Sequence, residues 1–195
     1  MEFINYFTEH LDKTLIAAIV IALILSFIPK IEVPIEKITK FFMIISVIAL
    51  ISLTLLVSYD VITRKLFHGG SIALQELEWH LYDIVFLFPI AYTLSKDKHV
   101  RVDIFYDKFP FKVKKIINLI TILFFVIPLA TLIVVEAVPF VQMSYTQHES
   151  SGDPGGLCCR WIIKSVMIWA FLVVYFQSIA ELRKIYYQLK HHKGK

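Results

Sequence analysis

The chain has 195 residues, of which 57% are hydrophobic and 18% charged, and its mean hydropathy is +0.69. A soluble domain is about 45–50% apolar, so this composition excludes an ordinary soluble protein and indicates a single membrane domain over residues 1–195. The net charge of +4 does not indicate nucleic-acid binding, because Lys and Arg cluster where predicted helices end.

The first apolar run, residues 14–28, lies between Lys13 and Lys30 and is short. As a helix it covers about 22 Å, against about 30 Å of hydrocarbon in a bilayer. It is apolar on all sides, which excludes a surface amphipathic helix. Two interpretations stay open: a short fifth span extended by snorkelling lysines, or a re-entrant or protein-buried helix. The acidic N-terminus lacks the basic region of a secretory signal, so we expect no cleaved signal.

Four longer apolar segments follow a polar connector, residues 30–40, and predict an all-α integral membrane protein with four main transmembrane helices. We name them span A (residues 41–67), span B (residues 74–95), span C (residues 116–145) and span D (residues 161–185). Basic and aromatic residues alternate over residues 104–115. This pattern predicts an amphipathic segment in the membrane interface on the cytoplasmic side.

Two features mark the boundaries of these spans. Asp60 and Arg64 have i, i+4 spacing with the acid first, so they extend span A as a helix beyond its charge-free part. Gly69 and Gly70 then end it. The connection between spans C and D, residues 147–160, is rich in Ser, Gly, Asp and Pro and is expected to be irregular.

Span B carries ionisable residues within an apolar helix. Glu76, His80 and Asp83 are spaced i, i+4, i+7 and therefore share one helix face. An ionisable group at membrane depth costs about 2.5–3.5 kcal/mol unless it faces protein or water. Hydrogen bonds within the chain or to a partner subunit are the expected cover, and a proton or ion relay is the alternative. Glu136 lies toward the outer end of span C, on the same side of the membrane as Glu76 in span B.

The distribution of Lys and Arg predicts the orientation in the membrane. Three lie in the connector before span A (Lys30, Lys37 and Lys40), seven lie between spans B and C, and five lie from Arg183 to the C-terminus. Only two, Arg64 and Lys65, lie at the end of span A that leads to span B, and two more, Arg160 and Lys164, lie where span D begins. The positive-inside rule therefore places the C-terminus in the cytoplasm.

The order Arg64, Glu76, Trp79 and then YTLSKDKHVRVD, residues 92–103, resembles the small membrane subunit of TRAP transporters, the DctQ-like proteins. Residues 99–103, HVRVD, are the most specific part. The stretch GGLCCRWIIK, residues 155–164, resembles the branch associated with mannitol or chloroaromatic compounds. Cys158 and Ile162 stand where that branch usually has proline.

The resemblance implies a chain that works with partners in a bacterial or archaeal inner membrane. A large many-span TRAP transport subunit and a periplasmic substrate-binding protein are the expected partners. Together such proteins import organic acids or similar small solutes, usually with a sodium gradient. The small subunit is expected to brace the large one within the membrane lipid, to carry no substrate and to be no enzyme.

The residues proposed for structural or partner contacts are Arg64, Glu76, Trp79, His80, Asp83, His99, Arg101, Asp103, Glu136, Arg160, Trp161 and Lys164. A charge cluster joining span B to the interfacial segment is the expected role of His99, Arg101 and Asp103. Trp79 and Trp161 are candidate lipid anchors. No catalytic, cofactor or metal residue is expected, because Cys158 and Cys159 are adjacent and no Cys/His metal spacing occurs.

A haem-binding membrane anchor of a respiratory enzyme is the alternative function. His80 and His99 lie near opposite ends of one predicted helix and are too far apart to bind the same haem, whereas His68 with His80 stays possible. A third alternative, a membrane enzyme, would need clustered acids or His/Asp motifs at a span end. None is recognised in the sequence.

Overall fold

A computed structural model describes residues 2–67, 69–96 and 109–191, with side chains from residue 13 onward. Every regular element in these ranges is helical. We number the α-helices in chain order, and a π-helical turn, Ile122–Val126, joins two of them. They are α1 (Glu2–Ser26), α2 (Glu32–Phe67), α3 (Ile72–Leu87), α4 (Pro89–Ser95), α5 (Phe111–Thr121), α6 (Ile127–Thr146) and α7 (Trp161–His191).

Helix α2 is one 36-residue helix and includes most of the expected connector, residues 30–40. The connector prediction was wrong because Pro34 lies in the first turn of α2. The N–H groups of a first turn have no intrahelical partner, so proline is tolerated there. At its other end, α2 stops at Phe67, just before Gly69 and Gly70.

Proline also shapes the two other helical stretches. Pro89 has no N–H to donate, and α3 gives way to the short α4 at Phe88, whose φ of −67° and ψ of −33° are still helical. In the third long stretch, the π-helical turn ends just before Pro128. A π turn releases a carbonyl that the proline ring would otherwise meet, so residues 111–146 continue as one helical stretch.

The start of this stretch differs from the sequence expectation. Residues 111–115 of the expected interfacial segment begin α5, which continues toward α6. Residues 104–108 lie outside the described part of the chain.

Helix α7 occupies the middle of the bundle and contacts each of the helices α1 to α6. Its Val173, Val174 and Ile179 are buried in the core, whereas most apolar side chains of α2 are exposed. Three helical stretches are long and apolar enough to cross a membrane: Glu32–Phe67, Phe111–Thr146 and Trp161–His191. The protein is thus an all-helical membrane protein, with an apolar surface suited to lipid contact.

Helix α1 packs against α6 and α7 through small residues. Ala18 and Ala22 are buried at this contact, and the Tyr175 hydroxyl donates a 2.8 Å hydrogen bond to the Ala18 carbonyl. Small side chains allow the backbones to approach closely. The apolar part of α1, Lys13–Ser26, is shorter than the three long stretches.

The bundle has two distinct ends. The α2–α3 and α6–α7 connections lie at one end, which we call the loop end. The N-terminus of α2 and the C-terminal part of α7 lie at the other end, which we call the basic end. Polar side chains cluster at both ends.

Candidate functional site

Glu76 is the centre of the loop end and is buried in the second turn of α3. Its carboxylate accepts hydrogen bonds from the Ser151 hydroxyl at 2.5 Å and from the Leu157 backbone N–H, also at 2.5 Å. The Arg160 guanidinium pairs with it at 3.2 Å. One carboxylate therefore binds three points of the loop between α6 and α7, which keeps a buried charge satisfied.

The loop itself is shaped to reach Glu76. The Ser151 N–H donates to the Leu157 carbonyl at 3.0 Å, and the Gly156 N–H donates to the Asp153 carbonyl at 3.1 Å. Gly155 has a φ of +85°. A Cβ on Gly156 would lie 2.3 Å from the Ser151 Cβ and 2.9 Å from Glu76 Oε2. Glycine at residue 156 is thus required by close approach.

Arg160 ties the end of the loop to the beginning of the loop and to α3. Its N–H donates to the Glu149 carbonyl at 3.1 Å, and its guanidinium lies 5.6 Å from the centre of the Trp79 ring. The second contact has the geometry of a cation–π interaction. Arg160 therefore holds the start of α7 against α3 through an ion pair and a ring contact.

A second ion pair joins Glu149 to Lys164, one turn into α7. The hydrogen bond from the Lys164 ammonium holds the pKa of the Glu149 carboxyl below its usual range. The same ammonium lies 4.1 Å from the centre of the Phe140 ring. Beside it, the Trp161 and Tyr145 rings meet edge to face at 5.4 Å. We call Glu76, Glu149, Ser151, Arg160 and Lys164 the loop cluster.

A second cluster lies at the basic end, between α2 and α7. The buried Arg183 pairs with Glu32 at 2.8 Å and donates to the carbonyls of Ser26 and Ile28. Lys184 pairs with Glu36 at 2.6 Å and with Glu181 at 2.7 Å.

This second cluster continues into the bundle through uncharged groups. The Thr39 hydroxyl donates to Gln177 Oε1 at 2.8 Å, and both side chains are buried. The Gln177 amide in turn donates to Glu181 at 2.9 Å. We call the whole set the α2–α7 cluster: Glu32, Glu36, Thr39, Gln177, Glu181, Arg183 and Lys184. It fixes the start of α2 to the end of α7.

The model of the family described as "Tripartite ATP-independent periplasmic transporters, DctQ component" matches residues 53–186, which is more than half of the chain. The chain belongs to the DctQ family. The comparison with curated proteins gave no match.

Membership of the DctQ family establishes the class of the protein. A DctQ protein is the small membrane subunit of a TRAP transporter, lies in the inner membrane and is not an enzyme. The family works with DctM and DctP components in tripartite transporters. The family match thus favours the transporter interpretation over the respiratory anchor and the membrane enzyme.

The structure of this DctQ subunit brings together five of the residues singled out in the sequence. Glu76, Trp79, Arg160, Trp161 and Lys164 all lie at or beside the loop cluster. Near them, Arg64 forms its i, i+4 ion pair with Asp60, which is only 1% exposed. His99, Arg101 and Asp103 lie outside the described residues, as does His68 of the haem hypothesis.

Three predicted residues do not join either cluster. His80 lies beside the Trp79 ring, and its Nε2 is buried without a hydrogen-bond partner in the described part of the chain. Asp83 and Glu136 are only partly exposed. Within the described ranges neither carboxylate has a hydrogen bond or ion pair.

An apolar cavity of about 260 Å³ separates α3, α7 and the end of the loop. Its walls include Leu77, His80, Leu81, Cys158, Cys159 and Val166. Among the described residues, no three His, Cys, Asp or Glu side chains are grouped to hold a metal ion. The polar contacts described at the loop end are ion pairs and hydrogen bonds between elements.

Sequence reasoning missed the α2–α7 cluster, although a signal for it was present. Glu32 and Glu36 have i, i+4 spacing, and Gln177, Glu181 and Lys184 have i, i+4, i+7 spacing. These are the same spacings that drew attention to span B, and they place each set on one helix face. The acidic face of α2, with Glu32 and Glu36, and the face of α7 that contains Lys184 have opposite charges available for pairing. Matching these two faces would have predicted the contact between α2 and α7.

Proposed function

We propose that this DctQ subunit is a brace that holds the scaffold of a tripartite transporter and carries no solute itself. The observation that carries the proposal is the placement of its polar side chains. Described polar networks occur at the two bundle ends, where they join helices to one another. Between them, α7 packs through Val173, Val174 and Ile179. A rigid bundle with an apolar outer surface suits a fixed support.

The flank of α3 that carries Asp83 is the proposed contact with the large DctM-type component. Asp83 lies about 10 Å along α3 from Glu76. The carboxylate of Glu76 is covered by the loop, whereas that of Asp83 has no described ion pair. Tyr82 and Phe86, beside it, are 57% and 62% exposed. An acid at this depth costs about 2.5–3.5 kcal/mol unless protein or water covers it, so a hydrogen-bond donor of the partner is the proposed cover.

The proposed membrane topology has four main spans in a single membrane domain. The three long helical stretches supply three spans, and α3 with α4 supplies another. Residues 72–95 have a helical rise of about 36 Å, which is long enough to cross. Helix α1 packs along α6 and α7 and is the proposed fifth span. The basic end is proposed to face the cytoplasm, with the C-terminus, in accord with the Lys and Arg counts.

The proposed cargo is an organic acid or a similar small solute, imported by secondary active transport with a sodium gradient. The proposed cargo and ion rest on the family alone, whereas the proposed assignment to the mannitol or chloroaromatic branch rests on the resemblance of residues 155–164. The periplasmic DctP-type protein is proposed to dock at the loop end. The side chain of Asp153 lies on the exposed turn there and takes no part in the loop cluster.

Purification of the tagged chain in mild detergent, with its cellular partners present, tests the proposal. A large many-span transporter subunit should co-purify in fixed ratio. Reconstitution then separates brace from carrier: vesicles with both membrane subunits and the binding protein should take up solute, and vesicles with the small subunit alone should not. Uptake by the small subunit alone would overturn the proposal.

A further inference from the structure

The two cysteines of the loop have an unusual arrangement. Cys158 and Cys159 are both exposed, and the Cys159 thiol donates to the Cys158 sulfur with the two Sγ atoms 3.0 Å apart. In extended backbone, consecutive side chains point to opposite sides. Here Cys159 has a φ of +63°, which turns its side chain toward that of Cys158. A disulfide has its sulfurs about 2.0 Å apart, so a movement of about 1 Å makes the bond.

The residues on either side hold this pair in place. Leu157, before the pair, donates its N–H to Glu76 and accepts from Ser151 through its carbonyl. Arg160, after the pair, is bound to Glu76 by its side chain and to Glu149 by its N–H. The cysteines are thus a two-residue link between two anchored residues. Little conformational entropy remains to be lost when the sulfurs join.

We propose that Cys158 and Cys159 form a redox pair that closes reversibly to a disulfide within one chain, and that closure changes how the loop holds Glu76. The oxidant is a disulfide donor, RSSR, such as oxidised glutathione or a protein disulfide. The pair joins Leu157 to Arg160, both of which bind Glu76. Contraction of the link therefore acts directly on the loop cluster.

The exchange proceeds in two balanced steps. The Cys158 thiolate attacks one donor sulfur, which forms a mixed disulfide and releases one thiolate that takes up the proton lost by Cys158. The Cys159 sulfur then attacks Cys158 Sγ, which forms the intramolecular bond and releases the second donor thiol. Two thiols and one donor disulfide thus give one disulfide and two donor thiols. Cys158 attacks first, because its sulfur accepts the hydrogen bond that the Cys159 thiol donates, and such a bond favours the thiolate form of the accepting sulfur.

The spacing of adjacent residues makes the proposed bond reducible. Neighbouring Cα atoms across a trans peptide are about 3.8 Å apart, whereas disulfides usually join Cα atoms about 4.4–6.8 Å apart. A bond made at the shorter spacing is strained, and strained, exposed disulfides are the labile ones. The pair therefore suits a switch and does not suit a permanent cross-link. On the orientation proposed above it faces the oxidising side of the membrane.

Intact-mass measurement of the full chain tests the proposal independently of any transport activity. The purified protein is equilibrated in detergent with mixtures of reduced and oxidised glutathione, quenched with acid and alkylated with N-ethylmaleimide. The expected oxidised product is lighter by two hydrogens, carries no adduct and reverts with dithiothreitol. Two maleimide adducts at every glutathione ratio, or disulfide-linked dimers, would overturn the proposal.

Single-cysteine variants provide the matched controls. Cys158→Ser and Cys159→Ser should stop at a glutathione adduct, because no second thiol is present to complete the exchange. A stable adduct on the wild-type chain would contradict intramolecular closure. Hydrogen exchange of the Leu157 amide reports the effect on Glu76. The exchange rate of this amide should differ several-fold between the reduced and the oxidised chain. Equal rates in the two forms would contradict the switch.

Discussion

The amide of Leu157 donates a 2.5 Å hydrogen bond to the carboxylate of Glu76, 81 residues earlier in the chain. This bond fastens a Ser-, Gly- and Pro-containing loop to the second turn of α3. Ser151 and Arg160 bind the same carboxylate from two other points of the loop. The conformation of the loop end therefore depends on the charge and both oxygens of a single side chain.

Substitution of Glu76 is expected to release the loop and leave the bundle folded. Glu76→Gln keeps the size of the side chain but loses the ion pair with Arg160 and one of two acceptor oxygens. Charge-assisted hydrogen bonds are roughly twice as strong as neutral ones, so the bonds that remain are weakened. Hydrogen exchange at the Leu157 and Gly156 amides should be at least tenfold faster than in the wild type. This corresponds to a free energy of local opening that is lower by about 1.4 kcal/mol.

Gln75→Ala is the control for this variant, because Gln75 is the exposed neighbour on the same turn of α3. It should leave exchange in the loop unchanged. Equal exchange in Glu76→Gln and the wild type would show that the loop holds its shape without the carboxylate.

Gly156→Ala is expected to destabilise the loop end through overpacking. The new methyl group would lie 2.3 Å from the Ser151 side chain and 2.9 Å from Glu76 Oε2, so the loop must shift. Overpacking costs about 1–3 kcal/mol. The measurement is thermal unfolding in detergent, together with hydrogen exchange at Leu157.

Gly152→Ala is the matched control, because nothing lies within 4 Å of a Cβ at that residue. Combining Gly156→Ala with Ser151→Gly should recover part of the loss, since the nearest clashing atoms are then removed. Equal stability of the two alanine variants would contradict the close approach.

The ion pair of Glu149 and Lys164 predicts a pH dependence at the loop end. The pKa of Glu149 is lowered in the folded protein relative to 4.5, chiefly by the Lys164 hydrogen bond. The contribution of Glu149 to stability is therefore fully present at pH values above its unfolded-state pKa of about 4.5. It is lost as the pH falls through the lower pKa of the folded state. The difference in melting temperature between wild type and Glu149→Gln, measured against pH, isolates this contribution.

That difference should be constant from neutral pH down to about pH 5 and should shrink below it. Lys164→Met should reduce the same dependence, because it removes the group that lowers the pKa. A difference that grows on acidification would contradict the sign of the shift.

The sequence predicted the helices well because their signals are local. Apolar runs with charged ends predict spans by length, and Gly69 with Gly70 does end α2. The boundary near Pro34 was missed because a proline is compatible with both a connector and a helix start. The spacing of Glu76, His80 and Asp83 predicted a shared face that needs cover, and the structure places Ser151, Leu157 and Arg160 against Glu76.

The identity of that cover was not readable from the sequence. The loop reaches Glu76 through a backbone N–H of Leu157, and any residue except proline supplies such a donor. Gly156 signals only that some special conformation or close approach is present. For Asp83 the described residues supply neither a hydrogen bond nor an ion pair, and the spacing within span B names no cover for it.

Substitutions in the α2–α7 cluster are expected to lower the stability of the protein by different amounts. Arg183→Met removes a buried guanidinium that binds Glu32 and two backbone carbonyls. Breaking a buried pair costs about 3–5 kcal/mol, and the partial exposure of Glu32 reduces the expected cost to about 1–3 kcal/mol. Gln177→Leu removes two hydrogen bonds, one from the Thr39 hydroxyl and one to Glu181, each worth about 0.6 kcal/mol on average in membrane helices. In thermal unfolding, Arg183→Met should therefore have a lower melting temperature than Gln177→Leu.

Arg183→Lys is the informative intermediate, because it keeps the charge and loses the fork of donors that reaches Ser26 and Ile28. Its melting temperature should fall between those of Arg183→Met and the wild type. A larger effect from Gln177→Leu than from Arg183→Met would show that the uncharged part of the cluster dominates.

Charge reversal in the loop separates docking from loop shape. Asp153→Lys changes the charge of an exposed turn whose structural bonds run through its backbone, so the loop should keep its fold. If the binding protein docks at the loop end, uptake in reconstituted vesicles should fall, and the fall should depend on salt because exposed charges are screened. Co-purification with the large subunit should be unaffected.

Glu149→Lys, in contrast, breaks the pair with Lys164 and should disturb both the loop and uptake. Unchanged uptake with Asp153→Lys at low salt would place the docking contact away from this turn.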